Sequence, residues 1–191
     1  MSRAAWICLA LVALLAPAVP AQPVKPPPSP EPAKGTVVTL DGLAAVTPPA
    51  WKAEKPSNRL RSYQFKLPRA DGDKADAELF IMPDMQGSVE QNFARWKELF
   101  VPPPDMPKAD AAKEAKFQAG TATVHTLDVR GTYHVKHIPI DVAVKEVRPD
   151  YRMLGAIWVS KDANISIRLI GPKKTVESHA KAFDSWLKSF K

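Results

Sequence analysis

Four histidines are the side chains of this 191-residue chain best suited to metal chemistry: His125, His134, His137 and His179. A zinc-type centre needs neutral imidazoles converging on one point at about 2 Å, often with a carboxylate to complete the set. His134 and His137 are close in sequence, His125 lies on the preceding segment, and Asp128 could supply the carboxylate. In an extended chain, residues three apart point to opposite faces. The pair therefore converges only if a turn falls within Tyr133 to Pro139. A metal-dependent hydrolase using His125, His134 and His137 is one reading of this set. Solvated histidines doing no such work are the commoner case, and the expectation is no metal and no cofactor.

The acidic stretch Asp71-Gly72-Asp73-Lys74-Ala75-Asp76-Ala77-Glu78 superficially suggests a calcium loop. The twelve-residue pattern needs ligands at its first, third and fifth positions, a glycine at the sixth and a glutamate at the twelfth. Here glycine falls second, alanine fifth and glutamate eighth, so a solvated hairpin turn is expected instead. Catalytic signatures are also missing. There is no nucleophile elbow, no glycine-rich phosphate loop and no paired histidines flanking a glutamate on one helix turn.

Binding chemistry has a better candidate. Between Trp51 and Arg69, the cations Lys52, Lys55, Arg59, Arg61, Lys66 and Arg69 face only one carboxylate, Glu54. Trp51 and Tyr63 lie among them. Arginine forks and aromatic faces together suit an anionic glycan, a lipid head group or an acidic protein. The set Trp51, Lys52, Lys55, Arg59, Arg61 and Tyr63 is thus the expected partner-binding surface. The competing account is that strand-edge cations discourage edge-to-edge pairing, with the acidic 71–78 turn neutralising several of them.

The elements positioning these residues follow from hydrophobic spacing. Val37 to Leu40 reads as a strand, Pro48 to Trp51 as a turn, and Arg59 to Leu67 as a strand with Tyr63, Phe65 and Leu67 on one side. Ala77 to Met82 returns as its neighbour. Ser88 to Phe100 reads as a helix opened by a Ser88/Gln91 capping box, with Val89, Phe93, Trp96 and Phe100 on one stripe. Lys116 to Ala119, Thr121 to Tyr133, Tyr151 to Ser160 and Asn164 to Ile170 read as further strands. His125, Leu127, Val129 and Tyr133 share one face. A closing helix from about Lys173 to Phe190 carries Val176, Ala180, Phe183, Leu187 and Phe190. Strands interrupted by one helix and closed by another predict an α+β domain, a mainly antiparallel sheet with two principal helices packed on it. Both helical stripes are expected to close over a single surface of that sheet.

The first residues say where such a domain works. Arg3 precedes an unbroken apolar run from Ala4 to Leu15, and Val19-Pro20-Ala21 offers small residues for cleavage. That run is too short for a bilayer, which takes about 20 residues. Residues 1–21 are expected to be a signal peptide. Residues 22–34 form a proline-rich tether, with six prolines in the eleven residues from Gln22 to Pro32. Residues 35–191 form a single domain. The only cysteine, Cys8, lies in the leader. The remainder therefore has no thiol for disulfides, thiolate catalysis or iron–sulfur ligation. The formal net charge of +7 is consistent with attraction to anionic polymers or lipid surfaces. Nucleic acid is not expected, since no recognition motif accompanies the charge.

Ala77-Glu78-Leu79-Phe80-Ile81, Ser88-Val89-Glu90 through Arg95-Trp96, Tyr151 to Ala156 and Gly171-Pro172 resemble segments of exported bacterial proteins abundant in planctomycetes, a family without an assigned activity. Pro49-Ala50-Trp51, the strand and helix centred on Trp96 and the final helix running to Phe190 are similar in order to the PsbP-like fold. An extrinsic subunit of photosystem II and a Ran-binding nuclear import factor share that fold. The resemblance implies a non-catalytic binding or assembly module, periplasmic or extracellular, with a protein or anionic cell-envelope component as partner. Membrane contact is then peripheral at most. A third reading is a small lipophilic-ligand carrier with a cavity bordered by Phe93, Trp96, Phe183 and Leu187.

Overall fold

In a computed structural model of the chain, residues 34–136 and 143–191 are described. The leader, nearly all of the tether and His137 lie outside them.

Among the described residues, ten strands and two helices follow in order: β1 (Val37–Leu40), β2 (Leu43–Val46), β3 (Lys52–Glu54), β4 (Tyr63–Leu67), β5 (Ala77–Met82), α1 (Val89–Glu98), β6 (Phe100–Val101), β7 (Ala112–Ala119), β8 (Ala122–Lys136), β9 (Val144–Val159), β10 (Asn164–Pro172) and α2 (Lys173–Leu187). β1 and β2 pair as a separate hairpin. The other strands form one sheet in the order β3-β4-β5-β10-β9-β8-β6, with β7 also on β8. Every pairing is antiparallel. The architecture is α+β, as the sequence predicts.

The placement of the helices differs from expectation. In β9, Ala156 and Trp158 belong to a core with Phe183, Trp186 and Leu187 of α2. Their neighbours Met153 and Ile157 belong to a second core with Phe93 and Trp96 of α1. Successive strand residues point to opposite faces, so α1 and α2 cover opposite faces of the sheet. The reason is written in β9: Met153-Leu154-Gly155-Ala156-Ile157-Trp158 runs without a polar face, and such a strand needs cover on both sides. A cavity bordered jointly by Phe93, Trp96, Phe183 and Leu187 is therefore ruled out, because the sheet lies between the two pairs.

On the α2 side, Trp51 meets Trp186 edge-on at 5.5 Å, Trp186 meets Phe190 at 5.1 Å and Phe190 meets Trp158 at 5.4 Å. The β1–β2 hairpin adds Val38, Leu40 and Ala45 to this core. It is tied to the chain end by the reciprocal backbone bonds between Ala44 and Lys191, of 3.0 and 3.2 Å.

α1 begins as its sequence dictates. Ser88 Oγ accepts from the Gln91 N–H, and Gln91 Oε1 accepts from the Ser88 N–H. α2 begins differently, after Pro172, which offers no side-chain cap. The missing acceptor comes from the acidic turn between β4 and β5. Asp73 Oδ2 accepts from the Thr175 N–H at 2.7 Å and from Thr175 Oγ1 at 2.6 Å, while Thr175 Oγ1 accepts from the Ala70 N–H at 3.0 Å. Thr175 is fully buried. The stretch that superficially suggests a calcium loop thus supplies a negative cap to a remote helix N-terminus, where the helix dipole favours it. Asp73→Ala is expected to cost about 1–3 kcal/mol, read as a lower urea midpoint. Asp73→Asn, which keeps an acceptor, should cost less.

Candidate functional site

β10 runs through the middle of the sheet, with Ile165, Ile167 and Leu169 facing the α2 core. Arg168 therefore points to the α1 side, a charged residue on a central strand. Its cross-strand partners are Phe80 on β5 and Gly155 on β9. Gly155 has no side chain, and the vacant volume is taken by the Trp96 indole: a Cβ built there would lie 2.6 Å from Trp96 Cζ3. The Arg168 guanidinium is consequently held between two rings, 4.7 Å from the Trp96 centroid and 5.2 Å from that of Phe80. Cation–π attraction to both faces helps fix its position.

Arg168 has little else. Its Nε donates to Ser166 Oγ over a long 3.4 Å. Among the described residues, no carboxylate lies within ion-pair distance of it. Burial pushes its pKa down to about 10, and the nearby Arg61 and Arg95 add to the depression, while Tyr133 opposes it. Both neighbouring forks are already engaged. Arg61 Nη1 donates to Glu78 Oε1 at 2.7 Å and to Gln64 Oε1 at 2.8 Å, with its guanidinium 3.9 Å over Phe80. Arg95 Nη2 donates to Asn92 Oδ1 at 2.8 Å, and Asn92 is itself buried and bonded to the carbonyls of Gln86 and Ser88.

A cleft of about 470 Å³ opens at this point, between α1, β10 and the segment following β5. Leu60, Met82, Met85, Trp96 and Leu99 make its walls apolar, and Arg168 and Ser166 form part of its floor. Asp84 also lines it, with a left-handed backbone at φ 55°. Its carboxylate forms no ion pair with Arg168. Arg95 lines it too, spending Nη2 on Asn92, so the cleft offers a largely apolar surround, which strengthens electrostatic interactions, and one arginine, Arg168, with both terminal nitrogens unbonded.

The residues expected to form a partner surface have differing surroundings, with Lys52 opposite Lys66 across β3 and β4. Trp51 is 3% exposed and belongs to the α2-side core. Tyr63 stacks on Phe65 at 6.5 Å, and its hydroxyl accepts from the Thr39 N–H. Lys52 lies on β3, and it is exposed together with Lys55 and Arg59. Lys66 sits 3.6 Å from Glu54 and 4.0 Å from Asp76. Only Arg61 reaches the neighbourhood of the cleft. The residue that sequence reasoning missed is Arg168. Its signal was an arginine in the otherwise apolar Ile167-Arg168-Leu169-Ile170, a position that reads as solvent-facing only while the sheet is taken to have one wet side.

Among the described residues, the histidines do not converge. His125 and His134 both lie on β8. The strand between them measures about 30 Å at roughly 3.3 Å per residue, so the two cannot ligate one ion. His134 donates its backbone N–H to Leu99 O, and the His179 ring contacts Pro68 O at 2.9 Å. Asp128 is engaged by Arg152 through two bonds of 2.8 Å, on the α2 side of the sheet. Among the described residues no cluster of three His, Cys, Asp or Glu is placed to hold a metal ion.

No protein-family model matches the chain. No curated protein sequence matches it significantly. Solved structures similar to it include a protein of unknown function from Pseudomonas aeruginosa, at 14% identity and a TM-score of 0.46, covering 81% of this chain and 94% of that one. They also include the cyanobacterial PsbP of Synechocystis, at 11% identity and a TM-score of 0.45, covering 88% of this chain and 98% of that one.

Proposed function

We propose that this chain is an exported, non-catalytic binding module that holds an anionic component of the cell envelope, or a protein bearing an anionic group, outside the cytoplasmic membrane. Residues 1–21 direct export, and the proline-rich stretch that follows spaces the domain from whatever lies before it. Membership of the exported bacterial family that its segments resemble belongs to the same proposal.

One observation carries the binding reading: Arg168 stands between Phe80 and Trp96 at an open cleft, charged and without an anionic partner among the described residues. Keeping a cation in such surroundings works against stability, and a ligand that neutralises it removes that cost. The site is suited to holding and not to proton transfer, because an arginine even with a pKa near 10 keeps its proton at neutral pH. Among the described residues no helix is long and apolar enough to cross a membrane.

Capture from an envelope fraction with immobilised wild-type protein and with Arg168→Gln tests the proposal. The expected result is a specific component retained by the wild type and lost from the variant. Equal recovery by both proteins, or turnover of a small-molecule substrate by the purified chain, would overturn it.

A further inference from the structure

The cleft's geometry also narrows what it binds. We infer that the Arg168 cleft takes a small monocarboxylic acid with an apolar body, its carboxylate on the Arg168 fork and its body against Leu60, Met82, Met85 and Leu99. This rests on the reading of the cleft as the binding site.

Three features of the site select that class. First, the number of free forks is one. Arg61 spends Nη1 on Glu78 and Gln64, and Arg95 spends Nη2 on Asn92, so of these three arginines Arg168 is the one with both terminal nitrogens unbonded. A planar guanidinium with two free terminal nitrogens matches a planar carboxylate through two parallel hydrogen bonds. A phosphate dianion would leave charge and acceptors unmatched in these surroundings. Second, the walls beyond the cation are apolar, so affinity grows with the apolar body of the ligand, and a bare inorganic anion gains nothing from them. Third, about 470 Å³ lies in the range of small-molecule sites.

The site is prepared before the ligand arrives. Phe80 and Trp96 hold the guanidinium from both sides, Trp96 is seated in the notch left by Gly155, and the buried Asn92 fixes the rim by bonding Gln86 O and Arg95. Little ordering is therefore needed on binding.

Calorimetric titration of the full chain with octanoate, 1-octanol, acetate, octyl phosphate and a short peptide ending in leucine decides the matter. Octanoate should bind at one site, with 1-octanol, acetate and octyl phosphate each at least tenfold weaker. Arg168→Gln, shown to be folded by circular dichroism, should lose at least tenfold for octanoate and little for octanol. Equal affinity for octanoate and octanol, tighter binding of the peptide or of octyl phosphate, or octanoate binding unchanged in Arg168→Gln would overturn the assignment. If octanoate fails while envelope capture still depends on Arg168, the ligand class falls and the cleft stands as the site. If neither depends on Arg168, both fall.

Discussion

Arg168→Met is expected to make the protein more stable while abolishing its affinity for anions. A native arginine on a central strand would ordinarily be expected to cost stability when removed. Here the folded-state pKa lies below the ordinary arginine value, at about 10, with burial the leading cause. A cation whose pKa is depressed by folding opposes folding wherever the unfolded chain keeps it protonated. That opposition is complete below pH 10 and is relieved as pH rises from there toward the unfolded value. Methionine fills similar volume without charge, and replacing buried charge by well-packed apolar groups is often neutral or stabilising. The expected gain at pH 7 is about 1–2 kcal/mol in urea denaturation, after allowance for the lost contacts with Phe80 and Trp96. The gap between variant and wild type should narrow above pH 10. A variant less stable than the wild type by more than about 1 kcal/mol would show that Arg168 serves the fold. Stability given up at a fixed position for the sake of a ligand is a familiar trade.

A side chain at Gly155 is expected to disrupt the packing of α1 on the sheet. A Cβ there would stand 2.6 and 2.9 Å from two atoms of the Trp96 ring. The ring is buried beside Phe93, with centroids 5.5 Å apart, and packs in the core that includes Met153 and Ile157. It has little freedom to yield, so α1 must lift from the sheet. Gly155→Ala is expected to cost about 1–3 kcal/mol and Gly155→Val more. Both should weaken octanoate binding, because Trp96 forms one side of the slot that holds Arg168. Adding Trp96→Leu to Gly155→Ala should recover part of the lost stability, giving a coupling energy of about 1 kcal/mol or more in a double-mutant cycle. Strict additivity would mean that the two positions do not share this volume.

Much of the scaffold was legible in the residues, and the site was not. Ser88 with Gln91, and the stripe Val89, Phe93, Trp96, located α1 because local spacing and local capping act over one or two turns. The stripe through Val176, Phe183 and Leu187 located α2 for the same reason. β3 and β6 escaped because strands of two or three residues carry no resolvable alternation. The strand expected from Arg59 begins only at Tyr63, where the alternation of buried Phe65 and Leu67 starts; Arg59 to Ser62 turn instead.

Non-local facts were harder to read. Asp73 caps a helix that lies 102 residues further along the chain, and nothing in an Asp-Gly-Asp turn announces such a partner. The opposite placement of the two helices follows from consecutive apolar residues in β9, which the helical stripes alone do not reveal. Once both faces are covered, Arg168 changes from a solvent-facing residue on a polar side into a cation enclosed by α1. The cluster from Lys52 to Arg69 drew attention because its charges are adjacent in sequence. The fold sends Trp51 into the core and pairs Arg61 and Lys66 with carboxylates, while Lys52, Lys55 and Arg59 stay exposed.

The most direct test is to follow the arginine side-chain ¹⁵N–¹H resonances of the protein during titration with octanoate, with Arg168 assigned by its absence in Arg168→Lys. The structure predicts a saturable shift of the Arg168 Nε–H signal and its slower exchange with water, while the signals of Arg59 and Arg148 stay in place. A stationary Arg168 signal, or uniform movement of exposed arginines alone, would contradict a ligand-facing cation between Phe80 and Trp96.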